Sequence, residues 1–149
     1  MRKTLTLAGS LIIVFAMPLA AQEAPIVESA PPDRCPDAMT TRDMDECFAG
    51  VLQRAESRRG EYLAAALERH ADRPELTEKI RASDTVFTAY RDAECAAVLE
   101  DWIEGTIRGV MSLTCRIELT DRRTRTIWQN WLTYMDSTSP VLPEPGPTE

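Results

Sequence analysis

The chain has 149 residues, 24 acidic against 17 basic, and a formal net charge of −7. That balance repels nucleic acid and anionic lipid surfaces and favours basic partners. One histidine, His70, and four cysteines without a C-x-x-C give no zinc-ligand spacing, so neither a metal nor a cofactor is expected.

The N-terminus reads "MRKTLTLAGSLIIVFAMPLAAQ". A charged start at Arg2 and Lys3, an apolar run from Leu5 to Ala16 and closing small residues predict a secretory signal peptide over 1–21, cleaved near Ala21. The run is shorter than the roughly 20 apolar residues that span a bilayer, so no membrane span is expected in the mature chain. No cysteine follows Ala20 or Ala21, which argues against a lipid anchor. Cleavage leaves 15 basic and 24 acidic residues, a charge of −9. Cys35, Cys47, Cys95 and Cys115 all lie beyond the signal, and an even count in an exported chain predicts two disulfides. The expected location is the periplasm or the extracellular space.

Residues 22–34, "QEAPIVESAPPDR", hold three prolines without apolar period and are expected to be a flexible leader. A first helix is predicted from Thr40 or Thr41, either a suitable N-cap, to about Ala71. Phe48, Val51, Leu52, Ala55, Tyr62, Leu63, Ala66 and Leu67 form its apolar stripe, with Gly60 a weak point midway. A second begins near Asp72–Pro74, a capping aspartate ahead of a first-turn proline, with Leu76, Ile80, Ser83, Phe87, Tyr90, Val98 and Trp102 on its inner face. A third runs from about Ile107 to Met135 on Val110, Met111, Thr114, Ile117, Ile127, Trp128, Trp131 and Leu132. Residues 137–149, "STSPVLPEPGPTE", contain four prolines and are expected to be a disordered tail; the P-x-x-P from Pro140 to Pro143 is a recognition motif only as a minor alternative. Short connections favour antiparallel neighbours. The fold class is all-α: a small up-down-up helical domain over 35–136.

Cys95 and Cys115 stand symmetrically about Gly105. One continuous helix would hold them roughly 30 Å apart, whereas a disulfide needs Cα atoms about 4.4–6.8 Å apart. Bonding them requires a reversal near Gly105, which gives two antiparallel helices with a staple. Cys47 lies about two turns into the first helix, within reach of a leader that folds back. The expected pairs are therefore Cys35–Cys47 and Cys95–Cys115.

From Phe87 onward, Tyr90-Arg91-Asp92, Cys95, Gly105-Thr106, Cys115, Leu119-Thr120 and Arg123 resemble the lysozyme-inhibitor LprI-like domains of small exported bacterial proteins. Their pattern runs aromatic, Y-R-D-x-x-C, a glycine turn, a second cysteine and L-T-x-x-R. The resemblance covers about residues 35–130. It departs from the family at Phe87, where tryptophan is usual, and at Asp84, where glutamine is usual. It implies the helical fold, the second disulfide and lysozyme inhibition.

Within the motif, Arg91 is expected to reach an acid across the helix pair, and Arg123 to pair with Asp92 or Asp121. His70 as a general base finds no second catalytic group, and a fraying helix-end histidine is the simpler reading. Glu100, Asp101 and Glu104 look solvent-facing rather than set in the opposed environments that carboxylate catalysis needs. No enzymatic activity is expected.

Residues 75–104 carry a net −5 and residues 107–135 a net +3, so helices two and three complement each other. The ends are different. An up-down-up chain brings Asp43, Asp45 and Glu46 to the same pole as Glu100, Asp101 and Glu104. The first three favour the dipole of their own helix; the last three oppose theirs. The expected function is an exported, non-catalytic binding protein that docks this acidic pole on a basic lysozyme or another cationic envelope protein. The alternative is an envelope interaction module without lysozyme inhibition.

Overall fold

A computed structural model of the chain describes residues 34–149. The expected signal peptide and residues 22–33 of the expected leader lie outside the described residues. Helix α1 spans Thr41–Arg69, α2 Pro74–Asp101 and α3 Arg108–Ile127, and no strand occurs among the described residues. A π-helical turn, Trp128–Leu132, extends α3.

Each boundary has a local cause. Thr40 caps α1 reciprocally: its hydroxyl accepts from the Asp43 amide at 3.1 Å, and the Asp43 carboxylate accepts from the Thr40 amide at 3.0 Å. The helix then runs unbroken through Gly60. At the start of α2 the N-cap is Arg73, which makes no side-chain cap, and Pro74 occupies the first turn. Asp72, the expected cap, lies one residue too early. The pre-set φ of proline starts the helix without it, and the Arg73 carbonyl accepts from the Leu76 and Thr77 amides. At the end of α3, Arg69 of α1 donates to the carbonyls of Trp131 (2.8 Å) and Thr133 (2.9 Å), satisfying acceptors that the helix terminus leaves open.

The register follows from cross-helix contacts. Arg58 of α1 meets Asp121 of α3, and Arg69 meets Trp131, so these two helices run parallel. Arg91 of α2 meets Thr120 and Asp84 meets Arg123, so α2 runs against α3. The helices are therefore up-down-up. Both expected disulfides are present: Cys35–Cys47 with Cα atoms 6.1 Å apart and Cys95–Cys115 at 5.7 Å. Such bonds persist in oxidising, extracytoplasmic compartments.

The apolar core lies between α1 and α3 at the end remote from the α2–α3 turn. Tyr62, Ala66, Ile127 and Leu132 are buried there, with Leu63, Trp128, Trp131 and Leu142 packed against them. Tyr62, Leu63 and Ala66 of the α1 stripe and Ile127 of α3 face this core as their periodicity indicates, and Val51, Ala55 and Ile117 are buried nearer the other end.

The inner face of α2 differs from the expected one. Thr77, Ile80, Asp84, Arg91 and Cys95 are buried, whereas Ser83 is exposed, Tyr90 is 52% exposed and Trp102 is 38% exposed. The helical phase passes through two charged residues, and an apolar-only reading skips both.

The tail also departs from expectation. Residues 137–149 turn back at Val141, whose amide donates to the Leu132 carbonyl at 2.9 Å. The segment then returns along α1 and α3. Trp128 Nε1 donates to the Leu142 carbonyl (2.9 Å) and the Tyr62 hydroxyl to that of Pro143 (2.8 Å). Burial pushes the Tyr62 phenol above its ordinary value of 10.0, against the lowering effect of Arg58 and with a smaller rise from Glu61, so it remains a donor. Farther on, Thr148 bonds to Asp121 and Arg58, while Arg34 donates to the Thr148 carbonyl. Prolines remove amide donors but keep carbonyl acceptors, and buried tryptophan and tyrosine need acceptors. That match is why a proline-rich segment lies ordered here.

Candidate functional site

The three acids of the α2 C-terminus are set by how that helix ends. Its last turn carries no basic residue, so Glu100 and Asp101 face a terminus whose dipole disfavours them. The chain tightens there: Trp102 N donates to the Val98 carbonyl, Ile103 N to Glu100 and Gly105 N to Trp102, the last at 2.8 Å. Gly105 has no positive φ. It is needed for space, because a Cβ there would lie 3.2 Å from the Trp102 carbonyl oxygen and 3.5 Å from its indole ring. The Cys95–Cys115 bond lies below this turn, and Ser112 donates to the Cys95 carbonyl at 3.0 Å.

Asp45 shows that the start of α1 shares this pole. A Cβ on Gly109, in the first turn of α3, would lie 2.5 Å from Asp45 Oδ1. The α3 N-terminus has no side-chain cap and no acid in its first turn. The Asp45 carboxylate, brought in from α1, supplies the negative charge that terminus favours.

The six candidate acids thus divide. Asp43 belongs to the α1 cap, Asp45 sits at the α3 terminus, and Glu46 pairs with Arg42 at 3.0 Å. Glu100, Asp101 and Glu104 are exposed and make no ion pair among the described residues. Sequence position brings all six to one pole but does not separate the two groups, because the Asp45–Gly109 approach joins different helices.

The motif residues occupy a separate, interior place. Three guanidinium groups surround the Phe87 ring, those of Arg59 and Arg123 each 5.7 Å from its centroid and that of Arg91 6.0 Å. Asp84 bridges Arg59 and Arg123. Arg91, 5% exposed, donates to Glu56 of α1 (2.9 Å) and Thr120 of α3 (3.2 Å) and also reaches Asp92, which Arg116 contacts in turn. Arg123 therefore pairs with Asp84 instead of Asp92 or Asp121; Arg116 takes Asp92, and Arg34 and Arg58 take Asp121. Leu119 is half-buried. The cluster joins all three helices, while Tyr90 points away from it.

His70, at the α1 C-cap, does not fray as expected. It is half-buried with its ring edge-on to Trp131, centroids 6.1 Å apart.

The family model for lysozyme inhibitor LprI matches residues 33–127. The chain belongs to the LprI family. No curated protein and no solved structure matches it. The LprI match takes in both disulfides, the three α-helices, the arginine–carboxylate cluster and the acidic pole, and ends ahead of the π-helical turn and the tail. Membership in LprI points to a lysozyme-inhibitor-like protein, a class that acts by binding and not by catalysis.

Proposed function

We propose that this protein is an exported lysozyme inhibitor that docks its acidic pole on a basic muramidase and occludes substrate entry. The observation that carries the reading is the division of the acids. Glu100, Asp101 and Glu104 have no ion-pair partner among the described residues, and Glu100 and Asp101 oppose the dipole of α2, a position that forgoes about 0.3–1 kcal/mol each. A fold has no use for that arrangement, and a cationic partner does. Electrostatic attraction of this kind chiefly speeds encounter and aids selectivity.

Two measurements test it. Turbidity clearing of bacterial suspensions by several muramidases, with and without the purified mature chain, should show protection against at least one. Association rates of the triple variant Glu100→Gln, Asp101→Gln, Glu104→Gln should be slower and less salt-dependent than wild type, since exposed charges act over about 8 Å at physiological ionic strength. Its melting temperature should hold or rise slightly. Equal rates and salt slopes would remove these acids from the mechanism. Absence of binding to every muramidase tried would favour an envelope module whose charges serve only the internal pairing of α2 with α3.

A further inference from the structure

The acidic turn is also the most concentrated apolar exposure near unpaired charge. Leu99 is 37% exposed, Trp102 38% and Ile103 45%, interleaved with Glu100, Asp101 and Glu104. The other exposed apolar side chains are more scattered: Met39 (85%) precedes α1, and Met135 (107%) and Val141 follow the π-helical turn. Val86 and Tyr90 lie on the flank of α2 among alanines, and Tyr134 is covered by the Arg69 guanidinium, 4.0 Å from its ring centroid. We infer that Trp102 and Ile103 form a preformed apolar wedge that enters the substrate cleft of the muramidase, while the flanking acids meet its basic rim. This inference rests on the inhibitor reading above and assigns the residues that supply affinity.

Three features support a wedge over a merely exposed loop. First, its backbone is fixed by the successive hydrogen bonds from Trp102, Ile103 and Gly105 amides and by the disulfide beneath. Second, the indole lies beside Gly105, where a Cβ would lie 3.5 Å from its Cε3 atom, while the residue as a whole is 38% exposed. An anchor already held in place avoids much of the ordering penalty that binding normally carries. Third, the indole N–H makes no hydrogen bond among the described residues. It is a donor ready for a partner's acceptor.

The partner's chemistry follows. A cleft that grips sugar rings offers flat apolar walls with a few polar groups between them, and an indole with a free N–H fits such walls. Tryptophan is also the side chain most often found to dominate binding energy at an interface centre, with charged rims contributing less. Acids and wedge should therefore act on different rate constants: charge on association, the buried anchor on dissociation.

The test measures both rate constants for the full mature chain against a panel of purified basic muramidases. Trp102→Ala should raise the dissociation rate about 30-fold or more against a muramidase that wild type binds, with association changed little. Ile103→Ala should act in the same direction, less strongly. Val86→Ala, exposed elsewhere on α2, should leave both rates unchanged. Gly105→Ala, whose Cβ would lie 3.2 Å from the Trp102 carbonyl oxygen and so disturb the turn that carries the ring, should speed dissociation without altering the indole itself. Melting curves accompany each variant; should Trp102→Ala melt early, Ile103→Ser at the neighbouring position makes the same comparison. Wild-type binding with dissociation unchanged in the Trp102 and Ile103 variants would overturn the wedge and leave the inhibitor reading standing. Failure of the wild type to bind any member of the panel would overturn both.

Discussion

Helix α3 holds its two neighbours by different chemistry. Against α1, beyond the midpoint of the bundle, it buries Ile127 and Leu132 on Tyr62 and Ala66, and the tail closes over Trp128. Against α2 it relies on a disulfide and on arginine–carboxylate pairs around Phe87, with Ile80 the one large apolar side chain of α2 that is fully buried. An apolar seam gains stability roughly in proportion to the area it covers and accepts small changes of shape. A buried ionic seam depends on every partner being present, because removing one leaves the others desolvated and uncompensated. The α2–α3 seam that displays the acidic turn is thus the one held by directional contacts, while Val51, Ala55 and Ile117 carry apolar burial on α1 and α3 toward the same end.

The largest effect should come from Asp84. Asp84→Ala leaves Arg59 and Arg123, with side chains 16% and 11% exposed, without their shared carboxylate. Destabilisation of about 3–5 kcal/mol is expected by denaturant unfolding. Asp84→Gln, the residue usual in the family, keeps hydrogen-bond acceptance but loses the charge, and should cost clearly less. Equal losses in the two variants would mean that the charge, and not hydrogen-bond acceptance, holds the seam.

Next is the staple on the same seam. The Cys95→Ser, Cys115→Ser double variant removes a loop closure over a separation of 20 residues, worth about 3 kcal/mol on the chain-entropy estimate. Because the bond lies beneath the Leu99–Glu104 turn, hydrogen exchange at the turn amides should accelerate more than at Tyr62 or Ile127. Uniform acceleration throughout would show that the two halves unfold as one unit and that the contrast between seams has no consequence for local stability.

A smaller effect is expected on the apolar side. Trp128→Phe keeps an aromatic ring in place but removes the N–H that holds the Leu142 carbonyl. One such hydrogen bond contributes about 0.5–1.5 kcal/mol, so the melting temperature should fall modestly while the tail becomes the first site of proteolytic cleavage. An unchanged cleavage pattern would assign the tail's order to Tyr62, Asp121 and the arginines alone.

These contrasts also explain what the sequence could and could not reveal. The α1 stripe, the reversal at Gly105 and both disulfides were legible because apolar period and cysteine symmetry each encode geometry directly. The α2 interior was not. Its buried positions Thr77, Ile80, Asp84, Arg91 and Cys95 keep helical spacing, but an aspartate and an arginine look like solvent residues until their partners on other helices are known. The tail misled for the opposite reason: its composition resembles a disordered segment, and its acceptors match donors on Tyr62 and Trp128 that no local pattern announces. For the candidate site, the shared pole followed from helix order, whereas the structural role of Asp45 required seeing Gly109 beside it.

The finest probe of the ionic seam is pH. Partial burial pushes the Asp92 carboxyl upward, but hydrogen bonds from Arg116 and Arg91, with the charges of both, outweigh it and hold the group below its ordinary value of 3.8. The sign follows from linkage: a carboxylate depressed by folding contributes stability that is complete above its unfolded value and is lost as pH falls through the folded one. The wild-type melting temperature should therefore include an Asp92-dependent fall that begins near pH 4 and grows at lower pH. Other carboxylates also lose partners in acid, so the wild-type curve alone does not isolate it. Asp92→Asn does: the variant should melt lower than wild type near neutrality and converge on it in acid, where both carry an uncharged group at that position. The side chain is 49% exposed, so solvent screening keeps the separation small, and added salt should narrow it further. Melts from pH 2 to 7 at fixed ionic strength decide the matter. Parallel curves would show that Arg116 and Arg91 hold Asp92 no more tightly in the folded chain than solvent does in the unfolded one, and would leave Glu56 and Thr120 as the contacts that orient Arg91.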